Sequence, residues 1–179
     1  MARARMACDV VVVGAGVAGI SAAVRASREG MHTLLIERND HPGGVAVAGM
    51  HRFICGLYAN GDDMPARTLN GGIAAELCRG LRELAPEKRV QRMGRVHVLP
   101  FATRDLVSVL RSLSEDEAAL DVFYGTRAVS VEMEQATIAA ITVRNQTGEF
   151  DIGPRAVVDC SGEGIIVQMS GVRYQLAPP

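Results

Sequence analysis

The stretch that most constrains the fold of this chain runs from Asp9 to Glu37. A β-branched apolar run, Val10–Val13, stops at a glycine-rich turn and is followed by a helical pattern of small residues. A second apolar run then ends at the acidic Glu37. Short, continuously apolar runs are typical of buried parallel strands. The order predicts a strand–helix–strand unit, with the helix over residues 16–29 and the second strand over residues 33–37.

The three glycines of the turn are spaced as a dinucleotide pyrophosphate site requires. Gly14 lets the strand turn sharply, Gly16 leaves room for a diphosphate, and Gly19 lets the helix pack closely on the strand. The helix N-terminus offers unpaired N–H groups and a positive dipole end to phosphates. Glu37, 23 positions after Gly14, is placed to accept hydrogen bonds from ribose hydroxyls. The predicted phosphate loop consists of Gly14, Ala15, Gly16, Val17, Ala18 and Gly19.

An ordinary strand–helix–strand unit that binds nothing shares part of this pattern. Small residues on the helix (Ala22, Ala23, Ala26), a helix stop at Gly30 and the terminal Glu37 accompany the glycines here. Because these features agree in order and spacing, the pattern favours nucleotide binding.

The predicted fold class is α/β, a Rossmann-like parallel sheet with an inserted antiparallel β-meander. We expect one domain over residues 1–179, with its nucleotide-binding core at 9–60 and 100–170. Three short runs separated by turns predict the meander within residues 126–153. The chain is expected to return to the parallel sheet as a separate strand at 156–159. Residues 1–8 are expected to form a loose lead-in, and Asn70 is the predicted N-cap of a helix over 72–84.

Composition excludes several other classes of protein. A net charge of −1 means that the chain has no excess of basic residues to bind nucleic acid. Only 4% of its residues are aromatic and none is Trp, which argues against a surface for stacking bases. The longest uncharged stretch, Val10–Val24, is shorter than a membrane span. Four cysteines show neither CxxC pairs nor metal-ligand spacing, so no metal site is expected. The expected location is cytoplasmic.

A Gly43-Gly44 pair follows the second strand closely and leads into the small-residue stretch Val45–Met50. Backbone without side chains suits close approach to a large flat group or a second phosphate. A plain tight turn would use the same residues. An NAD-binding domain would usually continue from the acidic strand end into another helix, so this loop separates two cofactor classes.

With these residues, the chain resembles the N-terminal half of FAD-dependent oxidoreductases of the glutathione-reductase-like group with two dinucleotide-binding domains. Four stretches carry the resemblance: 9–38, 41–58, 70–74 and the strand-to-turn motif at 157–164. The resemblance implies FAD as cofactor, with Gly14, Gly16 and Gly19 at the pyrophosphate. It also implies Glu37 at the ribose, Arg38 beside the adenine, Gly43 and Gly44 near the diphosphate and ribityl chain, Val45 toward the flavin ring, and Ser161 and Gly162 beside the adenosine half.

Members of that group are normally longer, with a substrate domain after the 157–164 motif. No such domain is present in this sequence, and no catalytic acid, base or nucleophile is identifiable. We therefore expect the FAD-binding portion or subunit of a flavin-dependent oxidoreductase, completed by a complementary subunit or a missing C-terminal half, and acting on a small-molecule substrate. An NAD-binding dehydrogenase domain and a non-catalytic nucleotide-binding scaffold remain the alternatives.

Overall fold

The computed structural model describes residues 4–175. The strands are β1 (Arg5–Val13), β2 (Thr33–Ile36), β3 (Phe53–Ile54), β4 (Gln91–Met93), β5 (Val96–Pro100), β6 (Leu120–Phe123), β7 (Arg127–Glu134), β8 (Thr137–Asn145) and β9 (Gly148–Asp159). The helices are α1 (Val17–Arg28), α2 (Val45–Ala48), α3 (Ile73–Leu84), α4 (Thr103–Glu115) and α5 (Ile165–Met169). The described residues divide into two compact units, one reaching Pro42 and resuming at Ser114, the other covering Gly43–Leu113.

The first unit is built on a six-stranded sheet with the order β6-β2-β1-β9-β8-β7. Strands β6, β2, β1 and β9 run parallel, and β9, β8 and β7 form antiparallel pairs. This confirms the predicted α/β class with a parallel sheet and an antiparallel meander. The second unit contains a three-stranded antiparallel sheet with the order β3-β5-β4.

The core of the first unit follows from its apolar strands. Val11 and Val13 of β1, together with Leu34 and Ile36 of β2, are at most 5% exposed. Strands β8 and β9 extend this core with residues of the meander. Helix α1 covers the sheet through a buried stripe at helical spacing, made by the apolar Ile20, Ala23 and Val24 and by Ser27.

Two expectations about strand boundaries were wrong. Strand β1 begins at Arg5, inside the expected lead-in, because its first residues pair with β9 from Arg5↔Asp151 onward. The third meander strand and the returning parallel strand are one continuous strand, β9. Gly153 and Pro154 lie between the two expected strands, but both pair with β1. Because β8 pairs with β9 only as far as Ile152, the missing N–H of Pro154 costs no bond to a second neighbour.

The expected cap of α3 was also wrong. Gly72 is the N-cap residue, at φ +61°, and no side chain caps this helix start. A left-handed backbone at that position suits glycine. The Asn70 side chain does not cap this helix, and its backbone carbonyl oxygen accepts a hydrogen bond from Thr68 Oγ1 at 2.8 Å.

Among residues 4–175, no helix is long and apolar enough to cross a membrane.

Gly80 of α3 packs against Val109 of α4, and this contact gives a stability prediction. A Cβ at Gly80 would lie 2.8 Å from Val109 Cγ1, although Gly→Ala in a helix otherwise stabilises by about 1 kcal/mol. Because buried Val109 is β-branched and stiff, we expect Gly80→Ala to destabilise the chain by about 1–2 kcal/mol in urea unfolding. In a Val109→Ala background the same change should stabilise. Stabilisation by Gly80→Ala in both backgrounds would contradict the packing described.

Candidate functional site

The turn between β1 and α1 uses its three glycines for different reasons. Gly14 has φ +100°, and a Cβ there would lie 2.6 Å from the Cys160 carbonyl oxygen. A Cβ at Gly19 would collide with the carbonyl oxygen of Gly14. A Cβ at Gly16 would meet no atom within 4 Å. Gly14 and Gly19 are therefore required by packing, whereas the bare face of Gly16 opens onto free space.

Helix α1 begins beside this open face. Its first intrahelical bond runs from the Ile20 N–H to the Gly16 carbonyl, at 2.9 Å. The N–H groups of Val17, Ala18 and Gly19 consequently have no backbone acceptor among residues 4–175. The first turn contains no acidic residue, and no side chain caps Gly16. This helix start has unused donors and a positive dipole end, which suit a phosphate group.

Glu37 lies at the end of β2 and is 5% exposed. Its Oε2 accepts a hydrogen bond from the Ala15 N–H at 2.7 Å. Its Oε1 accepts two more from Asn39, from the backbone N–H at 2.9 Å and from Nδ2 at 2.7 Å. A carboxylate has about four acceptor positions, so Glu37 keeps room for about one further donor. Glu37 therefore fixes the phosphate loop, and the Ala15 N–H is not available to a ligand.

The first unit contains a cleft of about 560 Å³, which we call the strand-end cleft. Four of the predicted site residues line it: Gly14, Glu37, Arg38 and Ser161. It lies beyond the carboxyl ends of β1 and β2, where ligands bind in open α/β sheets. The sequence did not predict the other residues that line this cleft, because the folding of strands and turns distant in sequence brings them to it. The additional lining residues are Thr126, Arg127, Ala128, Val129, Arg144, Glu163 and Ile165.

Charged side chains surround this cleft. Arg38 forms an ion pair with Glu163 at 3.5 Å, and both side chains are more than 60% exposed. Arg127 and Arg144 are partners in the β7–β8 register, and Arg144 is paired with Glu149 at 2.5 Å. The cleft thus combines one buried carboxylate with a largely cationic rim. That combination suits a nucleotide with ribose hydroxyls and phosphates.

The turn after β9 is organised by Asp159. Its Oδ1 accepts the Ser161 N–H at 3.0 Å, and its Oδ2 accepts the Ile166 N–H at 2.9 Å. Ser161 Oγ in turn accepts the Ile165 N–H at 3.0 Å. Burial acts to raise the pKa of Asp159, but the hydrogen bonds from Ser161, Val167 and Ile166 outweigh it and hold the pKa below its usual value. Gly162 has φ +79° and is exposed outside the cleft lining.

Asp159→Asn is expected to destabilise the chain by about 1–3 kcal/mol at neutral pH, because the partly buried N–H groups of Ser161 and Ile166 lose a charged acceptor. The folded-state pKa is depressed, so this stabilisation is complete above the unfolded-state pKa of about 4. It is lost as the pH falls through the folded-state pKa. Urea unfolding of both proteins between pH 7 and pH 2.5 measures the difference. A difference that persists unchanged at pH 2.5 would contradict the assigned role.

The remaining predicted site residues, Gly43, Gly44 and Val45, belong to the second unit. Gly43 has φ +117°, and a Cβ there would collide with the Val47 side chain. Gly44 has φ +49° and precedes α2, whose first residue Val45 is 76% exposed. The backbone conformation at positions 43 and 44 therefore favours glycine over any other residue.

Within residues 4–175, no cluster of His, Cys, Asp and Glu is arranged to hold a metal ion.

The sheet, the glycine turn and the strand-end cleft define a Rossmann-like dinucleotide-binding protein. The family model described as FAD dependent oxidoreductase matches residues 9–178, and the chain belongs to this family. FAD is the cofactor that this membership assigns to the chain. The open face of Gly16 beside unused helix N–H groups fits a diphosphate, and the partly free Glu37 carboxylate fits a ribose hydroxyl.

Among curated proteins, the chain is 28% identical over 175 residues to digeranylgeranylglycerophospholipid reductase 1 of Methanopyrus kandleri, covering 97% of this chain and 44% of that protein. The chain thus spans less than half the length of this relative. Several solved structures are similar to the chain in fold, and two of them serve as examples. The anhydrotetracycline hydroxylase of Streptomyces rimosus has a TM-score of 0.64 at 17% identity, covering 97% of this chain and 36% of the other. A geranylgeranyl bacteriochlorophyll reductase-like protein of Thermoplasma acidophilum has a TM-score of 0.62 at 19% identity, covering 97% and 44%.

Proposed function

We propose that this chain is the FAD-binding portion of a flavin-dependent oxidoreductase of the glutathione-reductase-like group, and that it holds the ADP half of FAD across the glycine turn and the strand-end cleft, whose lining includes Gly14 but not Gly16. The observation that carries this proposal is the open face of Gly16 beside the unused N–H groups of α1. Two of the three turn glycines are explained by packing alone. The third has no structural reason to lack a side chain, and a bound diphosphate supplies one.

In this proposal the N–H groups of Val17, Ala18 and Gly19 donate to the pyrophosphate, which passes over Gly16. Glu37 accepts one ribose hydroxyl, and Arg38 flanks the adenine. Ala15 contributes through backbone shape, because its N–H is bonded to Glu37. The further proposed contacts are Gly14, Gly43, Gly44, Val45, Ser161 and Gly162.

FAD supplies the two-electron chemistry when it is bound, and the protein supplies binding and orientation. The substrate-contacting residues are proposed to lie in a complementary subunit or in a C-terminal half that this sequence lacks. The length of the chain relative to its curated relative supports this. A cytoplasmic location stays a prediction from the sequence.

The edge of β9 also supports a completing portion. Beyond Ile152, β9 pairs with β1 on one side, while no other described strand pairs with its opposite side. Ala156 and Val158 on this half-strand are exposed. An unpaired strand edge in the middle of a sheet is an open template for another strand. We propose that the completing portion adds a strand along residues 153–159.

Competition binding tests the cofactor assignment. The purified chain is titrated with FAD and with NAD, separately and together. We expect FAD to bind at one site and NAD to compete for that site, because NAD shares the ADP half of FAD. Tighter binding of NAD than of FAD would contradict this assignment and support the alternative of an NAD-binding dehydrogenase domain.

Co-production with the products of neighbouring open reading frames tests the completing portion. We expect a stable complex that retains more FAD than the chain alone and whose flavin is reduced by a substrate. A complex that holds FAD without any reduction would favour the scaffold alternative. Substrate turnover by the FAD-loaded 179-residue chain alone would contradict the need for a second portion.

A further inference from the structure

The second unit contains a separate cleft of about 1100 Å³, which we call the arginine cleft. All of its lining residues fall within 58–90, so it shares none with the strand-end cleft. One wall is a face of α3, where Cys78, Arg79 and Arg82 follow one another at helical spacing. The facing walls come from the segments 64–68 and 88–90.

Positive charge is concentrated in this cleft. Arg67, Arg79, Arg82, Lys88 and Arg89 line it, whereas Glu83 is its one acidic lining residue. The complete chain has 19 basic and 20 acidic residues, so this local excess does not reflect overall composition.

Four of these cations are arginines that form no ion pair in the described part of the chain. Lys88 is paired with Asp105 at 3.0 Å, but the four arginines form no ion pair with any carboxylate of residues 4–175. Arg79 and Arg82 lie three residues apart on one helix face, where like charges repel. Both side chains are exposed, so water and salt screen this repulsion, and a multivalent anion would reduce it further.

The floor of the cleft carries a buried hydroxyl whose one hydrogen-bond partner among residues 4–175 is the Cys78 thiol, a weak acceptor. Tyr58 is 5% exposed, and its buried Oη has no nitrogen or oxygen partner among residues 4–175. Burial raises the pKa of Tyr58, and the charge of and hydrogen bond with the Cys78 sulfur raise it further, so the phenol keeps its proton at neutral pH. A buried hydroxyl without a good partner costs free energy. A ligand oxygen reaching the floor of the cleft would satisfy it.

We propose that the arginine cleft binds a small soluble molecule carrying a phosphate or pyrophosphate group. Arginine guanidinium groups donate planar pairs of hydrogen bonds that match phosphate oxygens, and several of them together select multivalent anions. The concave shape and the Tyr58 donor favour a compact ligand over an extended surface. This site goes beyond the proposed function, because none of its residues is assigned to FAD.

Calorimetric titration with inorganic pyrophosphate at low ionic strength tests the proposal. The protein is first saturated with FAD, or carries Gly16→Leu, so that the phosphate loop contributes nothing to the signal. We expect binding at one site, weakened about tenfold or more by the double change Arg79→Gln and Arg82→Gln, and weakened by added salt. Tyr58→Phe, which removes only the hydroxyl, should weaken binding severalfold.

Arg104→Gln is the matched control, because the Arg104 side chain is 90% exposed on α4 and lies outside the cleft lining. It should leave pyrophosphate affinity unchanged, and circular dichroism should show all variants folded. No binding, or equal binding by the double variant and the control, would overturn the proposal. Citrate binding tighter than pyrophosphate would overturn the choice of phosphate. If the protein cosediments with phosphatidic acid vesicles but does not bind pyrophosphate, the proposal of a soluble ligand is wrong.

Discussion

Replacement of Gly16 by leucine is expected to weaken FAD binding by about 100-fold or more while the fold stays intact. Gly16 has φ −65° and ψ 175°, an extended conformation that any residue adopts, and a Cβ there meets no atom within 4 Å. A leucine side chain would therefore enter the space proposed for the diphosphate. The cofactor would lose its contacts with the α1 N–H groups without any cost to the protein core.

Calorimetry with FAD measures this effect, and thermal unfolding reports on the fold. Gly71→Leu is the matched control, since Gly71 is an exposed glycine that, like Gly16, has no positive φ and no atom within 4 Å of a built Cβ. It should change neither affinity nor stability. Equal FAD affinity of Gly16→Leu and the unmodified chain would show that the diphosphate does not pass over Gly16.

The second large effect concerns stability. Gly19→Val is expected to lower the free energy of unfolding by about 3 kcal/mol or more, because its Cβ would collide with the Gly14 carbonyl oxygen. That oxygen cannot move away easily. The Gly14 N–H is bonded to the Ile36 carbonyl at 2.8 Å, and the Gly14 backbone lies against Cys160.

Urea unfolding measures this loss, with Gly16→Ala as the control in the same turn. Because Gly16 has free space and a permissive backbone, its alanine variant should stay within about 1 kcal/mol of the unmodified chain. Similar unfolding midpoints for Gly19→Val and Gly16→Ala would contradict the close approach of α1 to the glycine turn.

The first strand–helix–strand unit could be predicted because its signals are local. Val10–Val13 is apolar enough to be a buried strand in any context, and the glycine spacing fixes what can follow it. The structure places α1 at Val17–Arg28 and β2 at Thr33–Ile36, close to the predicted bounds. Local chemistry was sufficient there.

Other features depend on partners that are distant in sequence. Gly153 and Pro154 lie between the two expected strands, yet pairing with β1 keeps β9 continuous through them. Arg127 and Arg144 come together at the strand-end cleft through the β7–β8 register, which no spacing in the sequence reveals. The bond from Ala15 to Glu37 likewise joins positions that only the folded sheet makes neighbours. Sequence therefore indicated which residues were suited to a cofactor, and the fold determined which of them share one cleft.

Flavin uptake by the purified chain tests the central claim most directly. The protein is freed of small molecules, titrated with FAD, and followed by the change in flavin absorbance, with FAD identified in the extract of the denatured protein. The account predicts saturable uptake of one FAD per chain. Absence of uptake, both by the chain alone and by the complex with its completing portion, would contradict it.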